Sequence, residues 1–241
     1  MVSPVENPSQ DFMTRTLRQA AQETGTDFNY LLQTAARESN FDVRAEASTS
    51  SASGLFQFIE QTWLGVMQRR GADHGYADAA SAITRDESGR FVVSDPVQRQ
   101  QILDLRFDAE ASARMAGELA AENASVIQSR IGREATSGEL YAAHFLGAQG
   151  AASLIEAAHS DPSQRADQLF PAAARANRAI FYEGGQARSA QEVLAVLTHQ
   201  GDAPVMPSHA ASGANDAQTV RLTGRYSPVR NAVMAPVRHQ I

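Results

Sequence analysis

Helical signals dominate this sequence, and they limit its fold more than any other feature. Residues that commonly cap helix starts stand at Asp27, at Asp95 directly before Pro96, and at Thr136, where Glu139 completes a capping-box pattern. Apolar residues recur at helical spacing after each of these caps. Stretches that alternate apolar and polar residues, as a half-buried strand does, are almost absent. The sequence therefore predicts an all-α protein.

Each predicted helix lies between a start signal and a stop signal, which is often a glycine. We expect helices over residues 11–23, 27–38, 63–70 with Thr62 as the cap, 96–120 as one long helix or two abutting ones, 140–146 ending at Gly147, 151–159, 171–176 and 189–199. The short apolar stretch at 91–93 is expected in a loop or a short ribbon.

The composition changes near Gly201, which divides the chain. The 241 residues are 43% hydrophobic, enough for one good core. We expect a flexible segment over 1–9, one domain over 10–200 and a disordered tail over 201–241. The tail has four prolines and a charge of +2, from four arginines and two aspartates, whereas the residues before it carry −8. Its scattered apolar residues leave two interpretations open, a tail without a role or a segment that docks onto a partner.

Composition and charge exclude several classes of protein. The chain has no cysteine, so it has neither a disulfide framework nor a thiolate metal site. Its net charge of −6 argues against nucleic-acid binding, which needs a basic surface. No apolar run is long enough to span a membrane. The histidines show no ligand spacing, so we expect no metal and no cofactor.

The segment Glu38-Ser39-Asn40-Phe41 places a carboxyl group at the end of an apolar helix, and a loop of small residues leads from it to Gly54-Leu55-Phe56-Gln57-Phe58. A carboxyl group beside apolar and aromatic side chains holds its proton more tightly, because desolvation penalises the charged form. Such a group can be the general acid that cleaves a glycosidic bond. The alternative is an ordinary surface glutamate at a helix end. Candidates for a second carboxylate lie in more polar surroundings: Asp42, Glu46, Glu60, Asp73 and Asp78.

The joint pattern resembles the catalytic core of the lysozyme-like soluble lytic transglycosylases over roughly residues 10 to 200. The family's Glu-Ser is matched by Glu38-Ser39, and its Gly-Leu-Met-Gln by the segment from Gly54 to Gln57, with Phe56 in place of methionine. The family's Ala-Tyr-Asn motif is altered here to Ala143-His144-Phe145. The resemblance implies a lysozyme-like helical fold and an enzyme, a carbon–oxygen lyase, that cuts the glycan strands of peptidoglycan.

The resemblance also implies roles for individual residues. Glu38 is expected to be the single catalytic acid and base, and 1,6-anhydro-N-acetylmuramic ends are the expected products. Substrate-binding roles are expected for Ser39, Ser48, Phe56, Gln57, Phe58, Tyr141, His144 and Phe145. His144 stands where the family has a tyrosine that hydrogen-bonds the acid, and Tyr141, one turn earlier, is the alternative donor. Phe58 and Trp63 are either core residues or a sugar platform.

Two other functions remain open at this point: a hydrolytic muramidase of the same fold, and a non-catalytic peptidoglycan-binding protein of an envelope-spanning machine. The expected location is the periplasm and the expected state is a monomer. Residues 1–8 show neither the basic nor the apolar region of a signal peptide, so we expect a mature or truncated chain. If the tail over 201–241 docks onto a partner, the resemblance favours a flagellar rod protein or a secretion-apparatus protein.

Overall fold

The computed structural model of the protein describes residues 8–48 and 50–202. These residues are mostly helical with two short hairpins, in agreement with the predicted all-α class. The helices are α1 (Pro8–Thr24), α2 (Phe28–Ser39), α3 (Glu60–Arg70), α4 (Ala77–Ala82), α5 (Pro96–Asp104), α6 (Ala109–Ile131), α7 (Ser137–Ser160), α8 (Ala166–Leu169), α9 (Pro171–Ala176), α10 (Arg178–Phe181) and α11 (Ala190–Asp202). Single 3₁₀ turns cover Gly71–His74 and Leu105–Phe107.

The predicted caps form as the sequence pattern indicates. The Asp27 side chain accepts a hydrogen bond from the Tyr30 N–H, and the Asp95 side chain accepts one from Val97 at the start of α5. At the start of α7 both bonds of the capping box between Thr136 and Glu139 are present. The box of Ser189 and Glu192 opens α11 in the same way.

One predicted helix start was wrong, whereas the divisions of two longer helical stretches agree with the prediction. Thr62 does not cap α3, which begins at Glu60, where the Ser51 hydroxyl from the preceding loop accepts the Glu60 N–H at 3.3 Å. Of the two alternatives for 96–120, the structure has the pair of helices, α5 and α6, because Asp108 caps a new helix by accepting the Ala111 N–H. The break predicted at Gly147 is confirmed, because Gly147 has a non-helical backbone with φ 68° and ψ 165° that divides α7 into two helical parts.

Each of the two hairpins is antiparallel and contains two residues per strand. Strands β1 (Thr84–Arg85) and β2 (Phe91–Val92) form the ribbon expected near 91–93. Strands β3 (Tyr182–Glu183) and β4 (Gln186–Ala187) form a hairpin that was not predicted. Its two turn residues, Gly184 and Gly185, have φ values of 54° and 85°, which is the conformation that a two-residue hairpin turn requires.

Buried apolar residues form two clusters, and α6 runs between them. The first cluster joins α1, α2 and α3 with the N-terminal part of α6, and includes Leu31, Trp63 and Met115. The second is built from α7 to α11, with Ile127 contributed by the C-terminal part of α6. Helix α6 packs against α1, α2, α3 and α7 and so connects the two clusters.

The two ends of the chain lie largely outside the described residues. Residues 1–7 and 203–241 are outside, so the predictions of a flexible N-terminus and of a disordered docking tail fall mostly there. Helix α1 begins at Pro8 and α11 continues to Asp202, so the helical body extends slightly beyond the predicted range of 10–200. Within the described ranges, no helix combines the length and the apolar character needed to span a membrane.

Candidate active site

Glu38 lies in the last turn of α2, where the chain leaves the helix abruptly. Asn40 follows in the left-handed conformation with φ 52°, and its N–H donates to the Ala36 carbonyl at 3.0 Å. Phe41 is also left-handed, with φ 66°. These two left-handed residues end α2 and turn the chain away from the helix axis. The Glu38 side chain is 16% exposed, so it is mostly withdrawn from water but still reachable.

His144 on α7 faces this carboxylate. The distance from His144 Nε2 to Glu38 Oε1 is 3.4 Å, and the imidazole is also 16% exposed. The two side chains form an ion pair only when the imidazole carries a second proton. The structure thus brings together Glu38 and His144, two residues for which the sequence predicted roles in one site.

Aromatic rings on α7 surround His144. Tyr141 stacks on the His144 ring with centroids 6.0 Å apart, and Phe145 meets Tyr141 edge to face at 5.3 Å. Tyr141 and Phe145 are buried. The Arg37 guanidinium lies over the Tyr141 ring, with Cζ 4.6 Å from its centroid. Adjacent residues of α2, Arg37 and Glu38, therefore both contact α7, which fixes the end of α2 against it.

Gln57 holds the turn that faces the end of α2. Its side-chain Nε2 donates to the Ala45 carbonyl at 3.1 Å and to the Gly54 carbonyl at 3.0 Å. Gln57 itself has φ 49°, which is uncommon outside glycine. The amide nitrogen thus stabilises the turn, and its oxygen is left for other contacts.

Ser39 connects this turn to the end of α2. Its hydroxyl lies 2.9 Å from the Leu55 carbonyl and 3.1 Å from the Ala35 carbonyl and donates toward both. The residue after Glu38 therefore holds the end of α2 against the turn. Ser48, the other serine predicted to bind substrate, is exposed in the preceding loop and does not line the cleft.

Arg106 was not identified from the sequence, yet it supports the same turn from behind. Its guanidinium donates to the carbonyls of Ser51, Phe58 and Leu103 at 2.7, 3.2 and 2.9 Å. The residue is 7% exposed, and burial lowers the pKa of its guanidinium, while nearby carboxylates such as Glu60 counteract this. Nothing in the local pattern distinguished Arg106 from an exposed arginine, because its two partners in the turn, Ser51 and Phe58, lie about fifty residues away in sequence.

A cleft that is open to solvent lies between α2, the turn, α6 and α7. Aromatic and polar side chains share its surface, and the lining comprises Tyr30, Thr34, Phe56, Gln57, Phe58, Ile59, Thr62, Ala116, Leu119, Ala120, Asn123 and His144. Glu38 is not itself part of this lining, but adjoins the cleft through its contact with His144. The cleft brings together four residues predicted to bind substrate: Phe56, Gln57, Phe58 and His144.

Trp63 and Phe58 differ in position, although the sequence left them with the same two interpretations. Trp63 is fully buried, and its indole Nε1 donates to the Ile102 carbonyl at 2.7 Å, so it is a core residue. Phe58 packs edge to face on Trp63 with centroids 5.2 Å apart and also lines the cleft. Phe58 is therefore a buried residue with one side toward the cleft.

Tyr30 and Thr34 were also not identified from the sequence. Both are buried on α2 and both line the cleft. Burial is the main cause that raises the pKa of Tyr30 to about 12; the Thr34 hydroxyl counteracts the shift, and the negative charge of Glu38 adds to it. Tyr30 therefore remains a neutral phenol at physiological pH. Tyr30 and Thr34 are four residues apart and so lie on one face of α2, a signal that was available in the sequence.

The backbone shows strain near the site. In the described part of the chain, the non-glycine residues with positive φ are Asn40, Phe41 and Gln57. Asparagine adopts this conformation readily, but phenylalanine and glutamine do so at a cost. All three flank Glu38 or form the facing turn, so the surrounding contacts hold them in place.

None of the candidates for a second carboxylate lines the cleft. Asp42, Glu46, Asp73 and Asp78 are exposed, and Glu60 pairs with Arg99 at 2.5 Å. The cleft lining contains no aspartate or glutamate among the described residues. In the same ranges, no group of three or more histidine, aspartate or glutamate side chains is arranged to hold a metal ion.

The site therefore combines one largely buried carboxylate, a histidine beside it, and a cleft with aromatic and amide-bearing walls. Compared with models of known protein families, the sequence matches none.

Proposed function

We propose that this protein is a peptidoglycan lytic transglycosylase with a lysozyme-like catalytic domain. The observation that carries the proposal is the position of Glu38, a single carboxylate 3.4 Å from His144 at the edge of a cleft lined by aromatic and polar residues. The sequence supports the proposal as well, because one residue from each of the three motifs, Glu38, Gln57 and His144, lies in or beside this cleft. The proposed substrate is the β-1,4 bond between N-acetylmuramic acid and N-acetylglucosamine.

The proposed reaction needs one carboxyl group. Protonated Glu38 donates its proton to the glycosidic oxygen, and the bond from that oxygen to C1 of the muramic residue breaks. The substrate's own acetamido group shelters the positive charge at C1. Glu38, now a carboxylate, takes the proton of the muramic C6 hydroxyl, and this oxygen bonds to C1. The products are a 1,6-anhydromuramic end and a free N-acetylglucosamine end, and no water is consumed.

His144 would stabilise Glu38 during the charged part of this cycle. A neutral imidazole with its proton on Nε2 donates toward the Glu38 carboxylate once the acid has lost its proton. The separation of 3.4 Å is long for such a bond, and catalytic hydrogen bonds often shorten when substrate is bound. His144 would thus replace the tyrosine of the resembled family.

The remaining residues would bind or position the sugar. Phe56 and Phe58 offer apolar surface for a sugar ring, and the Gln57 oxygen can accept a hydroxyl or amide proton. Ser39 would act on the substrate indirectly, by holding the turn at the correct distance from Glu38. Tyr141 and Phe145 would keep the His144 ring in its orientation.

Analysis of the products from digested sacculi tests this proposal. Purified sacculi are incubated with the protein, and the soluble fragments are identified by mass spectrometry. Fragments with 1,6-anhydromuramic ends support the proposed reaction. Reducing muramic ends would instead identify a hydrolytic muramidase, and sedimentation with sacculi without soluble fragments would identify a binding protein.

The proposal extends to location and partners. Its substrate places the protein in the periplasm, and residues 201–241 would bind a protein of an envelope-spanning apparatus, with the flagellar rod as the first candidate. The charge of +2 on this segment against −8 on the rest of the chain, and its spaced apolar residues, support a docking role.

A further inference from the structure

Asn123 is a buried polar residue of the cleft that the proposed reaction does not use. It lies on α6, is 9% exposed, and lines the cleft together with Gln57 and His144. From the sequence it looks like an ordinary polar residue within a long helix. Its position in the fold gives it access to any molecule bound in the cleft.

The carboxamide of Asn123 has no hydrogen-bond partner within residues 8–48 and 50–202. Two neighbouring polar groups of the cleft do have hydrogen-bond partners. Gln57 Nε2 donates to two carbonyls, and the Thr34 hydroxyl donates to the Tyr30 carbonyl. The Asn123 amide atoms are also not sealed from solvent, unlike the unpaired carboxamide oxygen of Asn177. An amide without protein partners that is reachable from the cleft can offer both its donor and its acceptor to a bound ligand.

The chemistry of this group and of its neighbours selects a ligand class. A carboxamide donates through its nitrogen and accepts through its oxygen, so it pairs with another amide, which offers the complementary acceptor and donor. Leu119 and Ala120, one helical turn before Asn123, line the same part of the cleft and provide apolar surface. An acetamido group has an amide and a methyl group side by side, and therefore matches both features.

We propose that Asn123 is a specificity-determining residue that hydrogen-bonds the N-acetyl group of an amino sugar in the cleft. The inference rests on the proposed function, because it assumes that a glycan strand is the ligand. It goes beyond that function in assigning the recognition of the acetamido group to one side chain on α6.

Binding of two neutral tetrasaccharides tests this inference. The N-acetylglucosamine tetramer and cellotetraose have the same linkage, and cellotetraose carries a hydroxyl in place of each acetamido group. We expect the full-length chain to bind the N-acetylated tetramer roughly tenfold more tightly, since one or two neutral hydrogen bonds are worth about that factor. Asn123→Ala should lose most of this preference while its affinity for cellotetraose stays unchanged.

Gln128→Ala is the matched control, because Gln128 carries an exposed carboxamide on the same helix outside the cleft. This variant should keep the native preference. If Asn123→Ala does not fold, as judged by its thermal unfolding, Asn123→Asp replaces it. A carboxylate cannot donate to the acetyl carbonyl, so Asn123→Asp should also show a reduced preference. A native preference retained by the folded Asn123 variant, or no preference in the native chain, overturns the inference.

The result is independent of the product analysis on sacculi. If the native chain cleaves sacculi but its preference for the N-acetylated tetramer does not depend on Asn123, the proposed function stands and this inference is rejected. A preference that depends on Asn123 in a chain that does not cleave sacculi would keep the inference for an N-acetyl sugar site and reject the catalytic proposal.

Discussion

Gly54 shows how closely the turn beside Glu38 is fitted to the rest of the fold. Its backbone has φ 78°, and a Cβ atom at this position would lie 1.9 Å from the Arg106 carbonyl oxygen. Only glycine permits both the left-handed backbone and this approach. The Arg106 guanidinium also donates hydrogen bonds to carbonyls of the turn, so the backbone and the side chain of Arg106 together fix the segment that carries Gln57.

We therefore expect Gly54→Ala to lower the free energy of unfolding by at least about 3 kcal/mol, from backbone strain and overlap together. Gly89→Ala is the matched control, because Gly89 also has φ 78° but no heavy atom lies within 4 Å of its added Cβ. The control should cost only about 1 kcal/mol, from backbone strain alone. Chemical denaturation measures both values, and equal costs would show that the contact with Arg106 relaxes freely.

At the same scale, the sequence predicted residues whose signal is local and missed those whose partners are distant. Glu38 and Gln57 stood out because the motifs around them are contiguous. Arg106 and Asn123 did not, because an arginine or asparagine in a helical pattern is usually exposed, and only the tertiary fold buries them. The position of His144 opposite Glu38 was expected through resemblance and not from spacing alone.

Among the elements, α7 depends on its capping box to present His144 to Glu38. Glu139 is buried, accepts the Thr136 N–H at 2.9 Å and pairs with the Arg133 guanidinium at 2.7 Å. Burial acts to raise the pKa of Glu139, but the hydrogen bonds from Arg133 and Thr136 outweigh it, so the pKa lies below its ordinary value. The carboxylate form therefore stabilises the folded state.

Because the pKa of Glu139 is lower in the folded than in the unfolded state, its contribution to stability is present above the unfolded-state pKa and is lost as pH falls through the folded-state value. Glu139→Gln should lower the free energy of unfolding by about 1–3 kcal/mol at neutral pH. The difference from the native chain should shrink as pH falls below about 4.

Urea denaturation at a series of pH values checks this expectation. Glu192→Gln is the control, because Glu192 forms the corresponding box of α11 at the exposed surface. It should have a smaller effect than Glu139→Gln at neutral pH. A difference for Glu139→Gln that does not depend on pH would contradict the assigned role of the carboxylate.

Helix starts were more predictable than helix connections. Asp27, Asp95 and Thr136 cap helices because their side chains reach N–H groups two or three residues later, which is information contained in the local sequence. The start of α3 was misplaced because its cap comes from Ser51 in another segment. The hairpin at Gly184-Gly185 was missed although the dipeptide is a known turn signal.

For the whole molecule, two buried clusters joined along α6 form a body in which α2 and α7 meet at one cleft. If the segment after this body docks onto a partner, a variant ending at Asp202 should keep its rate of sacculus digestion and lose capture of the partner. Asp202 is chosen because α11 extends to that residue. Pull-down assays with candidate flagellar rod proteins, using the full chain and the shortened variant, measure this, and equal capture by both would show that the segment does not dock.

The central claim is that Glu38 alone supplies the acid and the base. Glu38→Gln keeps the size of the side chain and removes its exchangeable proton. The matched control is Glu134→Gln, because Glu134 is an exposed carboxylate away from the cleft. The decisive measurement is the initial rate at which each variant releases 1,6-anhydromuramic fragments from sacculi, with thermal unfolding to establish that both are folded. The account predicts a rate at least ~100-fold lower for Glu38→Gln and an unchanged rate for Glu134→Gln. A rate for folded Glu38→Gln within a few-fold of the native chain would contradict it.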